Sequence, residues 1–251
     1  MGRALTRQAL TGRLDNYLGE AIMATVLITG ANRGIGLEFT KQYLARGETI
    51  IATCRDQKAA TELNALAASS DKLTILTLDV SDGASLSGFA EQLGQTPIDI
   101  FINNAGIYGP RSGFGDLGES QWAEVFRVNS SAPLILAQMV IDNLRSGHLK
   151  KMVFLTSKMG SIADNQGGGS YIYRSSKAAL NAAVKSLSID LAEEGFLVGL
   201  LHPGWVRTDM GGPNGLIDAQ TSVAGLTQVI DKLGPDNTGN FFNYDGNIIP
   251  W

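Results

Sequence analysis

Thr25-Val26-Leu27-Ile28-Thr29-Gly30-Ala31-Asn32-Arg33-Gly34-Ile35-Gly36 joins an apolar run to an amphipathic one, and this join sets the fold. Residues 25–29 have the unbroken apolar character of a strand buried on both faces. Residues 35–46 are predicted helical, with Ile35, Leu37, Phe39, Tyr43 and Leu44 among the apolar positions. Between the two stands a turn with the spacing Gly-x-x-x-Gly-x-Gly. Glycine permits a tight turn and lets backbone amides approach a pyrophosphate, while the helix N-terminus adds its positive dipole end. Gly30, Asn32, Arg33, Gly34, Ile35 and Gly36 are therefore candidate dinucleotide-binding residues. A glycine turn is by itself also a plain structural turn; the strand before it and the helix after it favour the binding reading.

Outward from this unit the pattern repeats. Apolar runs at 49–53, 73–78, 98–102, 152–155, 197–201 and 240–243 alternate with helical stretches at 57–68, 85–93, 120–144, 171–193 and 221–233. Pro133 is expected to kink the helix over 120–144. Strands alternating with helices imply a parallel sheet covered on both faces. Right-handed crossovers then give an α/β, Rossmann-type, doubly wound sheet in a single domain spanning 23–251. Ligands of such sheets bind at the carboxyl ends of the strands. The glycine- and proline-rich stretches 108–118 and 211–215 are predicted to loop over that end.

Composition narrows the class. A chain of 251 residues fits one α/β domain. A net charge of −4 without a Lys/Arg run argues against a nucleic-acid partner, which needs a basic patch. No apolar stretch is long enough to span a bilayer, so no membrane partner is expected. The one cysteine, Cys54, rules out an intrachain disulfide and is compatible with a reducing compartment, so a cytoplasmic location is expected. Cys54 closes an apolar run and reads as a buried strand-end residue rather than a reactive thiol. His148 and His202 are too few and too isolated for a metal site. Residues 1–22 carry Arg3, Arg7 and Arg13 ahead of any acidic residue. They resemble a weak transit peptide or, at Met1-Gly2 and Thr6, a myristoylation pattern. The preferred reading is an N-terminal extension, disordered or non-native, with Met23 as the true start.

Tyr173 and Lys177 are four residues apart on one predicted helix, which makes them neighbours. An ammonium beside a phenol favours the phenolate and lowers a tyrosine pKa from its usual value of about 10. Such a tyrosine can exchange protons during carbonyl reduction or alcohol oxidation. Tyr171 competes for the role, but its partner at that spacing is Ser175, so packing is the better reading for it. After the second strand stand Cys54 and Arg55 rather than the acidic residue that would hold the ribose hydroxyl of NAD. Arg55 and Arg33 together suit a 2′-phosphate, so NADP(H) is preferred and NAD(H) remains possible. Arg55 lies next to Asp56, and a simply solvated guanidinium is its alternative.

Five segments in order resemble the short-chain dehydrogenase/reductase family across nearly all of 23–251. They are residues 29–36; Asp79-Val80; Asn103-Asn104-Ala105-Gly106; Ser157 with Tyr173-x-x-x-Lys177; and Pro203-Gly204. The resemblance implies a central seven-stranded parallel sheet. Residues 239–246 with Pro250-Trp251, and the stretches 160–162, 171–177 and 202–210, look like the C-factor/sniffer-like branch of carbonyl reductases and developmental-signal proteins.

By the family pattern, Tyr173 is the general acid, and Lys177 binds the nicotinamide ribose and depresses the tyrosine pKa. Ser157 holds the carbonyl oxygen, and Asn129 holds a water leading from Lys177 to solvent. Asp79 and Val80 contact adenine; Asn103, Ala105 and Gly106 line the nucleotide; Pro203, Gly204, Val206 and Thr208 border the nicotinamide. The implied activity is NADPH-dependent reduction of a small or medium aldehyde, ketone or quinone by a homodimer or homotetramer. A signalling protein on the same fold and an NAD-linked alcohol dehydrogenase are the alternatives. Ser157 precedes Tyr173 by sixteen residues, longer than usual in the family, which leaves Ser161 as a competitor. Ser157 is preferred because it follows the fifth strand. On spacing alone, Asn129 could instead bond backbone where its helix is distorted. Tyr108 and Trp205 are pocket walls or loop packing, and His202 is structural.

Overall fold

The structure, a computed structural model, describes residues 23–111 and 113–251; the extension set apart at 1–22 lies outside the described residues. Strand β1 (Thr25–Ile28) explains why the sheet is covered twice. Val26 and Ile28 face one side, Leu27 faces the other, and all three are fully buried. The remaining strands are β2 (Thr49–Cys54), β3 (Leu73–Thr77), β4 (Ile100–Asn103), β5 (Lys151–Leu155), β6 (Leu197–His202) and β7 (Phe241–Asn243). All seven pair in parallel in the order β3-β2-β1-β4-β5-β6-β7. The order reverses between β1 and β4, the switch point where a doubly wound sheet opens a crevice.

The helices are α1 (Gly34–Ala45), α2 (Thr61–Ala68), α3 (Gly83–Leu93), α4 (Glu119–Phe126), α5 (Ala132–Met139), α6 (Ile141–Ser146), α7 (Tyr171–Asp190) and α8 (Ala219–Asp231). Phe39 and Tyr43 of α1, Leu63 of α2, and Val223, Leu226 and Ile230 of α8 cover one face of the sheet. Phe89 of α3, Leu136 of α5, Leu144 of α6, and Leu180 and Val184 of α7 cover the other. Cys54 ends β2 and is buried there. Among the described residues no helix is long and apolar enough to cross a membrane.

Two helices depart from the sequence reading. The single helix expected over 120–144 is three helices, interrupted by a π-helical turn at Arg127–Ser131. Pro133 is the cause. It lacks an N–H and would clash with the carbonyl four residues back, so it sits in the first turn of α5 and the widened turn falls before it. Ala132 N–H accordingly donates to Arg127 O, five residues back. The helix expected over 57–68 begins only at Thr61. Asp56 Oδ1 accepts from Lys58 N and Ala59 N, and Asn64 Nδ2 donates to Gln57 O, which holds the preceding residues in a turn.

Phe101 of β4 is fully buried and meets Phe154 of β5 edge to face, centroids 6.0 Å apart. Phe101→Ala should lower the unfolding free energy by about 3–5 kcal/mol. Urea denaturation checks this: the midpoint falls at unchanged slope.

Candidate active site

The glycine turn is shaped by three different demands. Gly30 and Gly34 have φ of 65° and 55°, in the left-handed region that side chains avoid. Gly36 is needed for space: a Cβ there would stand 2.3 Å from Gly30 O and 2.5 Å from Asn104 Nδ2. Asn104 Nδ2 donates to Thr29 O and Gly30 O, while Thr29 Oγ1 accepts from the amides of Asn104 and Ala105, all at 2.9–3.0 Å. The turn is thereby tied to the end of β4. Arg33 is the N-cap of α1 and gives no side-chain cap, so the first amides of the helix are left for another acceptor.

A cleft of about 510 Å³ opens above this turn, at the carboxyl ends of the strands. Gly30, Asn32, Arg33, Gly34 and Ile35 line it from the turn, Arg55 from the end of β2, and Asp79 and Val80 from the end of β3. Ala105 and Gly106 follow β4, Tyr173 and Lys177 come from α7, and Pro203 and Thr208 follow β6. Gly36 packs beneath the turn, and Asn103 is buried within β4. Gly204 faces Ile217 and Tyr244, and Val206 is buried where it bridges to Ile217. Arg33 Nη1 donates to Asp209 Oδ2 at 2.7 Å across the cleft mouth. Asp56, the neighbour of Arg55, is bonded to the amides of its own turn.

At the inner end of the cleft, Tyr173 and Lys177 lie one turn apart on α7 and are both buried. Lys177 Nζ donates to Leu155 O of β5 at 2.9 Å and stands 6.0 Å from the centroid of the Tyr173 ring. The expected lowering of the phenol pKa does not occur in this geometry. Burial is the dominant effect and pushes Tyr173 up to about 12, while the neighbouring Ser157 hydroxyl pulls the other way. Burial likewise brings Lys177 down to about 8. These directions favour the protonated phenol at neutral pH and leave the ammonium most of its charge there.

The two candidate serines have different partners. Ser157 Oγ accepts from Met159 N at 3.2 Å and neighbours the Tyr173 phenol. Ser161 is buried, with its hydroxyl donating to the main-chain oxygen of Trp251 and accepting from Asp164 N. Asn129 lies in the π-helical turn. Its Oδ1 accepts from Ile107 N at 2.9 Å, and its Nδ2 donates to Ile107 O and Ser176 Oγ. The side chain therefore clamps the segment after β4 to α7.

Other residues had no sequence signal strong enough to assign them. Tyr108 stacks on Tyr173 with centroids 4.4 Å apart, and its hydroxyl meets Ser170 Oγ at 2.9 Å. Trp205 is half-exposed and donates to Gly211 O within its own loop. His202 is held neutral, down to about 4, by burial first and the Lys158 charge second. Asn104 and Asp209 lie within motif stretches but had no role assigned, and their partners are set by contacts 74 to 176 positions away.

A family model described as short chain dehydrogenase matches residues 24–216. The chain is 46% identical to C-signal of Myxococcus xanthus over 166 residues, which cover 66% of this chain and all of that one. It superposes with the carbonyl reductase Sniffer of D. melanogaster at a TM-score of 0.86 and 33% identity, over 91% of this chain and 100% of that one. An NADPH-bound carbonyl reductase from chicken fatty liver gives 0.85 and 35%, over 91% and 99%.

Lys177 yields a pH prediction. Its pKa falls from 10.5 to about 8 on folding, so between those values the unfolded chain binds more protons than the folded one. The unfolding free energy of the wild type, minus that of Lys177→Met, should therefore rise as pH climbs from about 8 toward 10.5. Paired urea titrations across this window test it; a flat difference would remove the buried-ammonium assignment.

Proposed function

The chain belongs to the short-chain dehydrogenase family, and from that premise we propose that it is an NADPH-dependent carbonyl reductase. The observation that carries the proposal is the buried Tyr173 phenol beside the Ser157 hydroxyl and one helical turn from Lys177, at the inner end of a cleft opened by a glycine turn. A nicotinamide dinucleotide, when bound, supplies a hydride to the carbonyl carbon. The cleft fits such a group. Left-handed Gly30 and Gly34, with the uncapped amides of α1, form an anion cradle. Arg33 and Arg55 suit a 2′-phosphate. Asp79 and Val80 would take the adenine side, with Ala105 and Gly106 along the nucleotide. Asn103 supports the cleft from within β4, and Pro203, Gly204, Val206 and Thr208 border the inner end.

The chain's own groups handle the proton. Ser157 donates to the substrate oxygen and steadies the developing charge. Tyr173 gives its phenolic proton to the same oxygen, completing the alcohol. Lys177 stands near enough to favour the phenolate that remains. Asn129 keeps the Ile107 segment against α7, so the cleft wall holds its shape. The substrate is a small or medium aldehyde, ketone or quinone. The likeness to C-signal favours a second reading, a developmental or cell-signalling protein on the same fold. The intact Ser157, Tyr173 and Lys177 set supports the enzyme over it. Ala182 is exposed, and Ala178 and Ala179 are half-buried beside it on α7, which suits a homodimer or homotetramer; a cytoplasmic location belongs to the same reading.

Tyr173→Phe should cut kcat by about 10²–10⁴-fold with little change in NADPH binding. Steady-state rates on a carbonyl panel, with NADPH affinity by fluorescence, check this, and near-normal turnover would overturn the proton-donor role. Arg33→Ala and Arg55→Ala should each weaken NADPH binding about ten-fold or more and leave NADH unaffected, as loss of a charge-assisted bond implies. Equal weakening of both cofactors would argue against 2′-phosphate recognition.

A further inference from the structure

We propose that Asp209 is a specificity-determining residue for the cofactor, competing with the 2′-phosphate for the guanidinium of Arg33. The inference rests on the reading that the cleft takes NADPH. Arg33 belongs to the glycine turn and Asp209 to the loop after β6, and their 2.7 Å ion pair joins segments 176 residues apart across the mouth of the cleft.

The acid is presented by a built turn. Gly211 N donates to Thr208 Oγ1 and Gly212 N to Thr208 O, while Trp205 Nε1 donates to Gly211 O. Thr208 itself packs over the glycine turn: a side-chain carbon on Gly34 would stand 3.5 Å from Thr208 Cγ2. The other carboxylates near the two arginines hydrogen-bond within their own turns. Asp56 accepts from the amides of Lys58 and Ala59, and Asp79 from the amide and hydroxyl of Ser81. Among the described residues, Asp209 is thus the acid within reach of Arg33.

The pair is exposed, with side chains 66% and 77% accessible, so its hold on Arg33 is weak. A phosphate carries more charge than a carboxylate and offers more acceptor oxygens, so it can take the guanidinium over. A ribose hydroxyl has no charge with which to displace Asp209. The ion pair therefore opposes binding of the phosphorylated dinucleotide and leaves the unphosphorylated one untouched. Asp209 sets the ratio between them.

The test is calorimetric titration of NADPH and NADH into wild type, Asp209→Asn, Arg33→Ala and the double variant at one low ionic strength. Asp209→Asn should tighten NADPH about 1.4- to five-fold, the range that exposed ion pairs span, and leave NADH unchanged. In the Arg33→Ala background the same substitution should do nothing. The competition is overturned if both cofactors tighten alike, if either weakens, if neither moves, or if the change persists without Arg33. A wild type that does not favour NADPH over NADH sinks the NADPH reading itself. One that does, with the ratio unmoved by Asp209→Asn, sinks only the competition.

Discussion

A lysine ammonium inside a protein is unstable unless something polar holds it, and the inner end of the cleft is arranged around that need at Lys177. The acceptor is Leu155 O, at the end of β5, which fixes α7 against that strand. With α7 fixed, Tyr173 falls one turn earlier, beside the serine that follows β5. The same burial that makes the ammonium costly keeps water from the phenol. The two perturbed groups are thus one consequence of one packing decision.

The interrupted helix before α5 belongs to this arrangement. A regular helix through 127–131 would not widen where Pro133 forces it to, and that widened turn carries Asn129 to the backbone of Ile107 on one side and Ser176 on the other. Ile107 leads directly into Tyr108, whose ring then covers the face of Tyr173. A proline, an amide and two aromatic rings therefore act in series on the orientation of one hydroxyl.

The layered sheet and the glycine turn were legible because local pattern dictates them. Apolar residues fill both faces of the central strands such as β1 and β4, and Gly30 and Gly34 need backbone angles that other residues resist. The Tyr173–Lys177 pair was legible because helix geometry alone makes it adjacent. What escaped were consequences of long-range closure. Nothing local links Ser161 to the main-chain oxygen of Trp251, ninety positions on, yet that contact separates it from Ser157. Periodicity also could not see that Asp56 would cap a turn and shorten α2. The tyrosine pKa was misjudged for a related reason. Spacing reports the distance to a cation but not the loss of water, and burial is the largest cause of the raised phenol pKa.

That correction bears on direction. A phenol with a lowered pKa would be partly ionised at neutral pH and poised to accept a proton from an alcohol. A phenol raised to about 12 is a donor that keeps its proton until a stronger demand appears. A carbonyl oxygen gaining negative charge is such a demand, and it arises only as a hydride arrives at the carbon. Lys177, held near 8, still carries much of its positive charge at neutral pH and can offset the phenolate at that moment. On the proposed reading, desolvation would delay proton release and the ammonium would permit it, so the proton would be withheld until the oxygen it is to join has become basic.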